Sequence, residues 1–145
     1  MKVSFSFGKK STTTLINTLK KMADNIEFYP YNTIGELVKE SQLRKLFFDR
    51  IVFSEKILSN PKKELTVLND YIKNYSDSTE IVMVANPKGS KATSAFVEIF
   101  DSPMYTPVIL EKPTPTSLLE LVKGDILELK TKYFVLDVKK STKPE

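Results

Sequence analysis

Five short apolar runs recur along the chain, and after each one the apolar residues return every three or four positions. This alternation constrains the fold more than any other feature. Strand-helix repeats of this length pack in few ways: a parallel sheet whose crossovers lay helices over both faces. In residues 3–7, Val3, Phe5 and Phe7 alternate with Ser4 and Ser6, the period of a strand. Ser11-Thr12-Thr13-Thr14 offers hydroxyls that can cap a helix. That first helix carries Leu15, Ile16, Leu19, Met22 and Ala23 and ends near Asp24-Asn25. Residues 26–31 form a second, aromatic strand. Pro30 cannot donate to a ladder, so this strand belongs at a sheet edge.

Thr33 caps a second helix bearing Ile34, Leu37 and Val38, and later Leu43 and Leu46. Arg50-Ile51-Val52-Phe53 is a third strand of the buried parallel kind. Asn60-Pro61 opens a third helix with the stripe Leu65, Leu68, Tyr71, Ile72 and Tyr75. Ile81-Val82-Met83-Val84-Ala85 is a fourth strand in the sheet interior, and Asn86-Pro87-Lys88-Gly89-Ser90 a loop. Ala92, Ala95, Phe96, Ile99 and Phe100 stripe a fourth helix. Residues 107–110 are a fifth strand. Thr114-Pro115 starts a fifth helix with Leu118, Leu119, Leu121 and Val122. The expectation is a flavodoxin-like, doubly wound α/β fold with strand order 2-1-3-4-5, which puts the second strand, with Pro30, at an edge. Beyond Gly124, residues 133–138 read as an extra strand, with residues 126–129 as a hairpin partner in the alternative reading.

At 145 residues the chain can bury one sizeable core without staples. It has no cysteine and no histidine. That excludes disulfides, thiolate nucleophiles, Cys or His zinc sites and Ser-His-Asp triads. The composition therefore argues against an enzyme, although carboxylate-Mg²⁺ chemistry needs neither residue. No run of about 18 apolar residues is present, so no membrane span is expected. Residues 1–5 lack the long apolar stretch of a signal peptide, so the expected location is the cytoplasm. The net charge is +4 and the pI about 9.1. The lysines are scattered in short pairs rather than gathered on one stripe, a pattern of solvated faces rather than a nucleic-acid footprint.

In a doubly wound sheet, sites form at the carboxyl ends of the strands. There stand Gly8-Lys9-Lys10, Ser54-Glu55, Ala85-Asn86 and Lys112-Pro113. Over about residues 2–128 the layout resembles the receiver domain of two-component signalling. Asp49-Arg50-Ile51-Val52-Phe53-Ser54 looks like the third-strand motif that ends in a phosphorylated aspartate. Val82-Met83-Val84-Ala85 looks like the fourth strand that ends in Thr or Ser, and Lys112-Pro113 like the lysine-proline step. The departures carry more information than the matches. The family's acidic pair for Mg²⁺ is replaced by Lys9 and Lys10, its acceptor aspartate by Ser54, its switch hydroxyl by Ala85, and its switching aromatic by Ile109. Lys112 alone survives.

The resemblance thus implies a degenerate receiver that takes no phosphoryl group and needs no cofactor. Such modules dimerise or dock, as at the N-terminus of TadZ/CpaE-like pilus-assembly proteins, ahead of a ParA/MinD-like ATPase. On this reading residues 1–138 are the receiver-like domain and residues 139–145 a polar tail or linker. The partner is a protein, as in a homodimer, and Phe96, Phe100, Met104 and Tyr105 are its candidate surface, with core packing the plainer reading of the two phenylalanines. Two rivals differ in class. One is a basic nucleic-acid-binding module, with Phe28, Tyr29 and Tyr31 as a stacking platform. The other is a phosphate- or nucleotide-binding protein that uses residues 8–14, with Gly8, Lys9, Lys10 and Ser11 as an anion cradle. The P-loop pattern fails in detail, because Val3 stands where its first glycine belongs and Lys10 replaces its Ser/Thr.

Overall fold

The computed structural model describes residues 1–75, 77–85, 91–100, 104–110 and 114–133, without the side chains of Lys9 and Lys10. Its elements run in chain order as β1 (Lys2–Ser6), α1 (Lys9–Met22), β2 (Glu27–Tyr29), α2 (Ile34–Arg44), β3 (Arg50–Ser54), a 3₁₀ turn (Glu55–Ile57), α3 (Pro61–Tyr75), β4 (Glu80–Ala85), α4 (Lys91–Ile99), β5 (Tyr105–Ile109), α5 (Pro115–Lys123) and α6 (Ile126–Tyr133). The five strands form one parallel sheet in the order β2-β1-β3-β4-β5. The expected flavodoxin-like arrangement is the observed one. β2 lies at an edge, and Pro30 follows its last residue. Pro107 sits in β5, the opposite edge, where a missing N–H is tolerated.

The pleat divides the interior into two cores. Ile51 and Phe53 of β3 and Ile81 and Met83 of β4 pack against α2, α3 and α4. Val52 and Val82, on the alternate positions, pack with Val3, Phe5 and Val108 against α1, α5 and α6. Because both faces are covered, Ser4 and Ser6 are as buried as the apolar residues beside them. Ser6 Oγ accepts from the Tyr31 N–H at 3.1 Å. Ser4 Oγ is, among the described residues, the buried side-chain oxygen left without a hydrogen-bond partner.

Several boundaries differ from the sequence reading. Helix α1 begins at Lys9, capped by the backbone of Gly8 rather than by a hydroxyl of residues 11–14. The cause is a turn that Thr12 closes from inside the helix. Helix α2 stops at Arg44, with Lys45 in the left-handed region, so Leu46 reaches the core from the following loop, while Leu43, on the side of the helix away from Ile34, faces solvent. The largest difference is α6. Residues 126–129 are helical, not a hairpin strand, and Tyr133 ends that helix rather than opening a strand. The rest of the expected strand, residues 134–138, lies outside the described residues. Asp125 starts α6 by accepting from the Glu128 N–H at 3.2 Å, the cap that a helix needs there.

The end of α5 is held by a buried arginine. Arg50, at the start of β3, donates to Glu80 Oε1 at 2.6 Å, to the Leu121 carbonyl at 2.9 Å and to the Gly124 carbonyl at 2.7 Å. It thereby satisfies carbonyls at the end of α5 that the helix itself cannot. Gly124 is required at this corner, since a Cβ there would stand 2.5 Å from the Glu120 carbonyl oxygen. Lys132 Nζ and Tyr133 Oη both donate to Glu120, at 2.9 Å and 2.7 Å, and tie the end of α6 to α5.

Candidate functional site at the carboxyl edge of the sheet

The carboxyl ends of the strands face one edge of the molecule, where the sequence places its site residues. After β1 the chain turns at Gly8, whose φ of 98° lies in the region that favours glycine. The Thr12 hydroxyl accepts from the Phe7 N–H at 2.9 Å and donates to the Gly8 carbonyl at 2.7 Å. This turn leads straight into the first turn of α1, formed by Lys9, Lys10 and Ser11, which holds no acidic residue. Ser11 is exposed. The side chains of Lys9 and Lys10 lie outside what is described.

Ser54 ends β3, in register with Val84 of β4. It is only 4% exposed. Its Oγ accepts from the Lys56 N–H at 3.2 Å and so caps the 3₁₀ turn that follows. One lone pair of the hydroxyl is thus taken up by local backbone. Glu55, half-buried, opens that turn, one residue beyond the strand end. Ala85 ends β4, buried in the core under α3 and α4 and paired with Ile109. Ser54 follows Val52 by two residues and shares its face, toward α1 and α5. Ser54 and Ala85 therefore project to opposite faces of the sheet. Leu110 follows β5 and is buried. Lys112 and the loop of residues 86–90 lie outside the described residues.

The residues at this edge do not fit Mg²⁺. That ion takes several oxygen ligands, mostly carboxylates, whereas the strand ends present glycine, lysines, a capped serine and alanine, with Glu55 next to the serine. Among the described residues no three Asp or Glu side chains converge as a metal site would need.

The expected partner surface divides on inspection. Phe96 and Phe100 are core residues, their rings tilted 37° with centroids 4.6 Å apart. They are not available to a partner, because a helix packed on a sheet buries its apolar stripe. Met104 and Tyr105 are half-buried, with Tyr105 edge-on to Phe100 at 5.1 Å. Burial, with Asp77 nearby, raises the Tyr105 pKa. The surface that α4 offers is instead marked by Val97, exposed but silent in the stripe pattern. On the other edge, Phe28 and Tyr29 are half-buried and Tyr31 is buried. Burial and the nearby Glu40 push the Tyr31 pKa up to about 12.

No protein-family model matches the chain, and neither does any curated protein. Solved structures do. One is a response regulator protein from Burkholderia pseudomallei with a phosphorylated aspartic acid, calcium ion and citrate. It matches with a TM-score of 0.59 at 10% identity, over 91% of this chain and 72% of its own. Another is RcsB from Salmonella enterica serovar Typhimurium, bound to promoter rprA in the presence of phosphomimetic BeF3-. It matches with a TM-score of 0.58 at 17% identity, over 97% of this chain and 71% of its own. The chain therefore has the CheY-like fold of response-regulator receivers. At these identities the likeness is one of fold. Among the described residues no helix is long and apolar enough to cross a membrane.

Proposed function

We propose that this chain is a receiver-like interaction module that takes no phosphoryl group and works, without catalysis, by self-association or by docking a larger assembly in the cytoplasm. A following ParA/MinD-like ATPase domain, as in TadZ/CpaE-like proteins, is the candidate assembly. The observation that carries the reading is the end of β3. Where a receiver has its acceptor carboxylate, this chain has Ser54, buried and bonded to the Lys56 N–H. Two lysines stand where Mg²⁺ would need carboxylates. What remains is a rigid α/β scaffold with surfaces, and a second copy is the partner proposed for the face of α4 and β5, around Val97, Met104 and Tyr105.

The test is light scattering after size exclusion over a concentration series, with and without Mg²⁺ and acetyl phosphate. The expected outcome is a mass that rises with concentration and ignores both additions. A monomer throughout would count against self-association, and a shift on adding the phosphodonor would refute the loss of phosphotransfer. Ser54→Asp by itself is expected to stay unlabelled by acetyl phosphate, since Lys9 and Lys10 oppose the ion that neutralises the transferring group. Stable Mg²⁺-dependent labelling of that variant would contradict this account of the site. Nucleic-acid binding, by contrast, would appear as an affinity that falls steeply with salt.

A further inference from the structure

Of the seven large apolar residues exposed among the described residues, Leu43 and Val67 line one groove where α2 packs beside α3, and Phe47 follows the end of α2. Leu43 is 70% exposed and Phe47 55%. Phe47 is not loose, since it stacks flat on Tyr75 with centroids 4.8 Å apart and planes 8° from parallel. The groove, of about 370 Å³, is lined by Gly35, Val38, Lys39, Gln42, Leu43 and Val67. Its floor at Gly35 is open, because a Cβ there would meet nothing closer than Thr33 Oγ1 at 4.0 Å. Lys39 is the one charged side chain lining it. Lys63, one turn before Val67, adds a second cation to the rim, and Asp70, one turn after, a carboxylate.

A second patch has the opposite character. Leu127 of α6 is 58% exposed. The groove beside it, about 490 Å³, is lined by the carboxylates of Glu120, Asp125 and Glu128, with Lys132 the only cation. Lys132 is already paired with Glu120 at 2.9 Å. Asp125 and Glu128 are left as anions flanking an exposed leucine.

We propose that a second copy of this chain docks head to tail, with Leu127 of one copy seated in the α2–α3 groove of the next. Glu128 and Asp125 then face Lys39 and Lys63. The two patches are complementary: one is an apolar groove with Lys39 as its charged lining residue, and the other an exposed leucine beside the carboxylates of Asp125 and Glu128. Because the two patches differ, the contact is heterologous and would propagate rather than close. The proposal rests on the reading of the domain as an interaction module. It uses surfaces separate from α4 and β5.

The mixing of two variants tests it. Leu43→Glu spoils the groove and Leu127→Glu spoils the knob, both at exposed positions. Val67→Glu can replace Leu43→Glu should that variant not fold. The chain has no cysteine, so Asn17→Cys on the exposed side of α1 accepts a single fluorophore. Labelled full-length Leu43→Glu chain is titrated with unlabelled Leu127→Glu chain and, separately, with unlabelled Leu43→Glu chain, and anisotropy is read. The mixed pair keeps one intact groove and one intact knob, so it is expected to bind at least about tenfold tighter than the same-variant pair. That binding should weaken at high salt. Equal binding in both titrations would assign self-association to another face, such as α4 and β5, and overturn the head-to-tail contact. No binding in either would overturn it too, while the concentration series on the unaltered chain would still decide the broader reading.

Discussion

Ser4 and Arg50 are both polar and both buried, yet their removal should have opposite effects. Ser4 Oγ has no partner, and burying an unpaired hydroxyl costs about 1–3 kcal/mol by mutational measures. Ser4→Ala is therefore expected to leave stability unchanged or to raise it by about 1 kcal/mol in urea unfolding. A clear loss would show that the hydroxyl is bonded after all. Arg50 is the reverse case. Its side chain is 4% exposed and satisfies two carbonyls besides Glu80, which is 33% exposed. Arg50→Met leaves those groups without their donor and is expected to cost about 3–5 kcal/mol, as breaking a buried ion pair does. Thr12 is intermediate. Thr12→Val keeps the shape but strands the Phe7 N–H, for an expected loss of about 1–3 kcal/mol. None of these roles was legible in the residues themselves. Arg50 read as the first position of an apolar run, and Thr12 as one of four equivalent cap candidates. Their partners come from elements up to 74 positions away.

Element by element, the sequence was most informative where local chemistry decides. Thr33 and Thr114 cap α2 and α5 as their positions suggest, and Pro115 stands at the first turn of α5. Helix α6 was missed although a signal was present: Asp125 followed three residues on by Glu128, the spacing of a capping pair. The β-rich look of residues 133–138 outweighed it. The hold of α6 on α5 should depend on pH. Hydrogen bonds from Tyr133 and Lys132 lower the Glu120 pKa from 4.5. Burial, then the bond to Glu120, raises the Tyr133 pKa from 10.0, and the bond to Glu120 raises the Lys132 pKa from 10.5. The Glu120 contribution is complete above pH 4.5 and is lost as pH falls through its lowered value. The Tyr133 and Lys132 contributions are complete below 10.0 and 10.5 and are lost as pH rises through their raised values. Amide exchange in α6 is thus expected to be slowest between those limits and to quicken at both ends. Glu120→Gln should remove the acid-side change. An acid-side change that survives in Glu120→Gln would place the titrating group elsewhere.

Across the whole molecule, the two cores are not independent. Ile51 and Phe53 belong to one and Val52 to the other, on consecutive positions of one strand. Loss of either core removes the support of the shared sheet. Ile51→Ala is expected to cost about 2–5 kcal/mol while unfolding remains one calorimetric transition, with van't Hoff and calorimetric enthalpies equal. Two resolved transitions would show that the halves melt separately. The strand order was legible at this scale because five alternating units with a proline at the second strand leave few right-handed windings. The residue types that stand at the strand ends, Lys9, Lys10, Ser54 and Ala85, were legible too. The choice of interaction surface was not. Phe96 and Phe100 look like a stripe in the sequence whichever way the helix faces, and packing turned them inward. Leu43 and Leu127 look like core leucines, yet each lies on the solvent side of its helix, away from the positions that pack inward. The sequence by itself determined the five alternating strand-helix units and the residue types that stand at the sheet edge, because periodicity, caps and residue types act over a few positions. Only the tertiary structure decided that residues 126–133 are helical, and which apolar side chains are covered and which are left exposed, because burial depends on what the rest of the chain brings against each face.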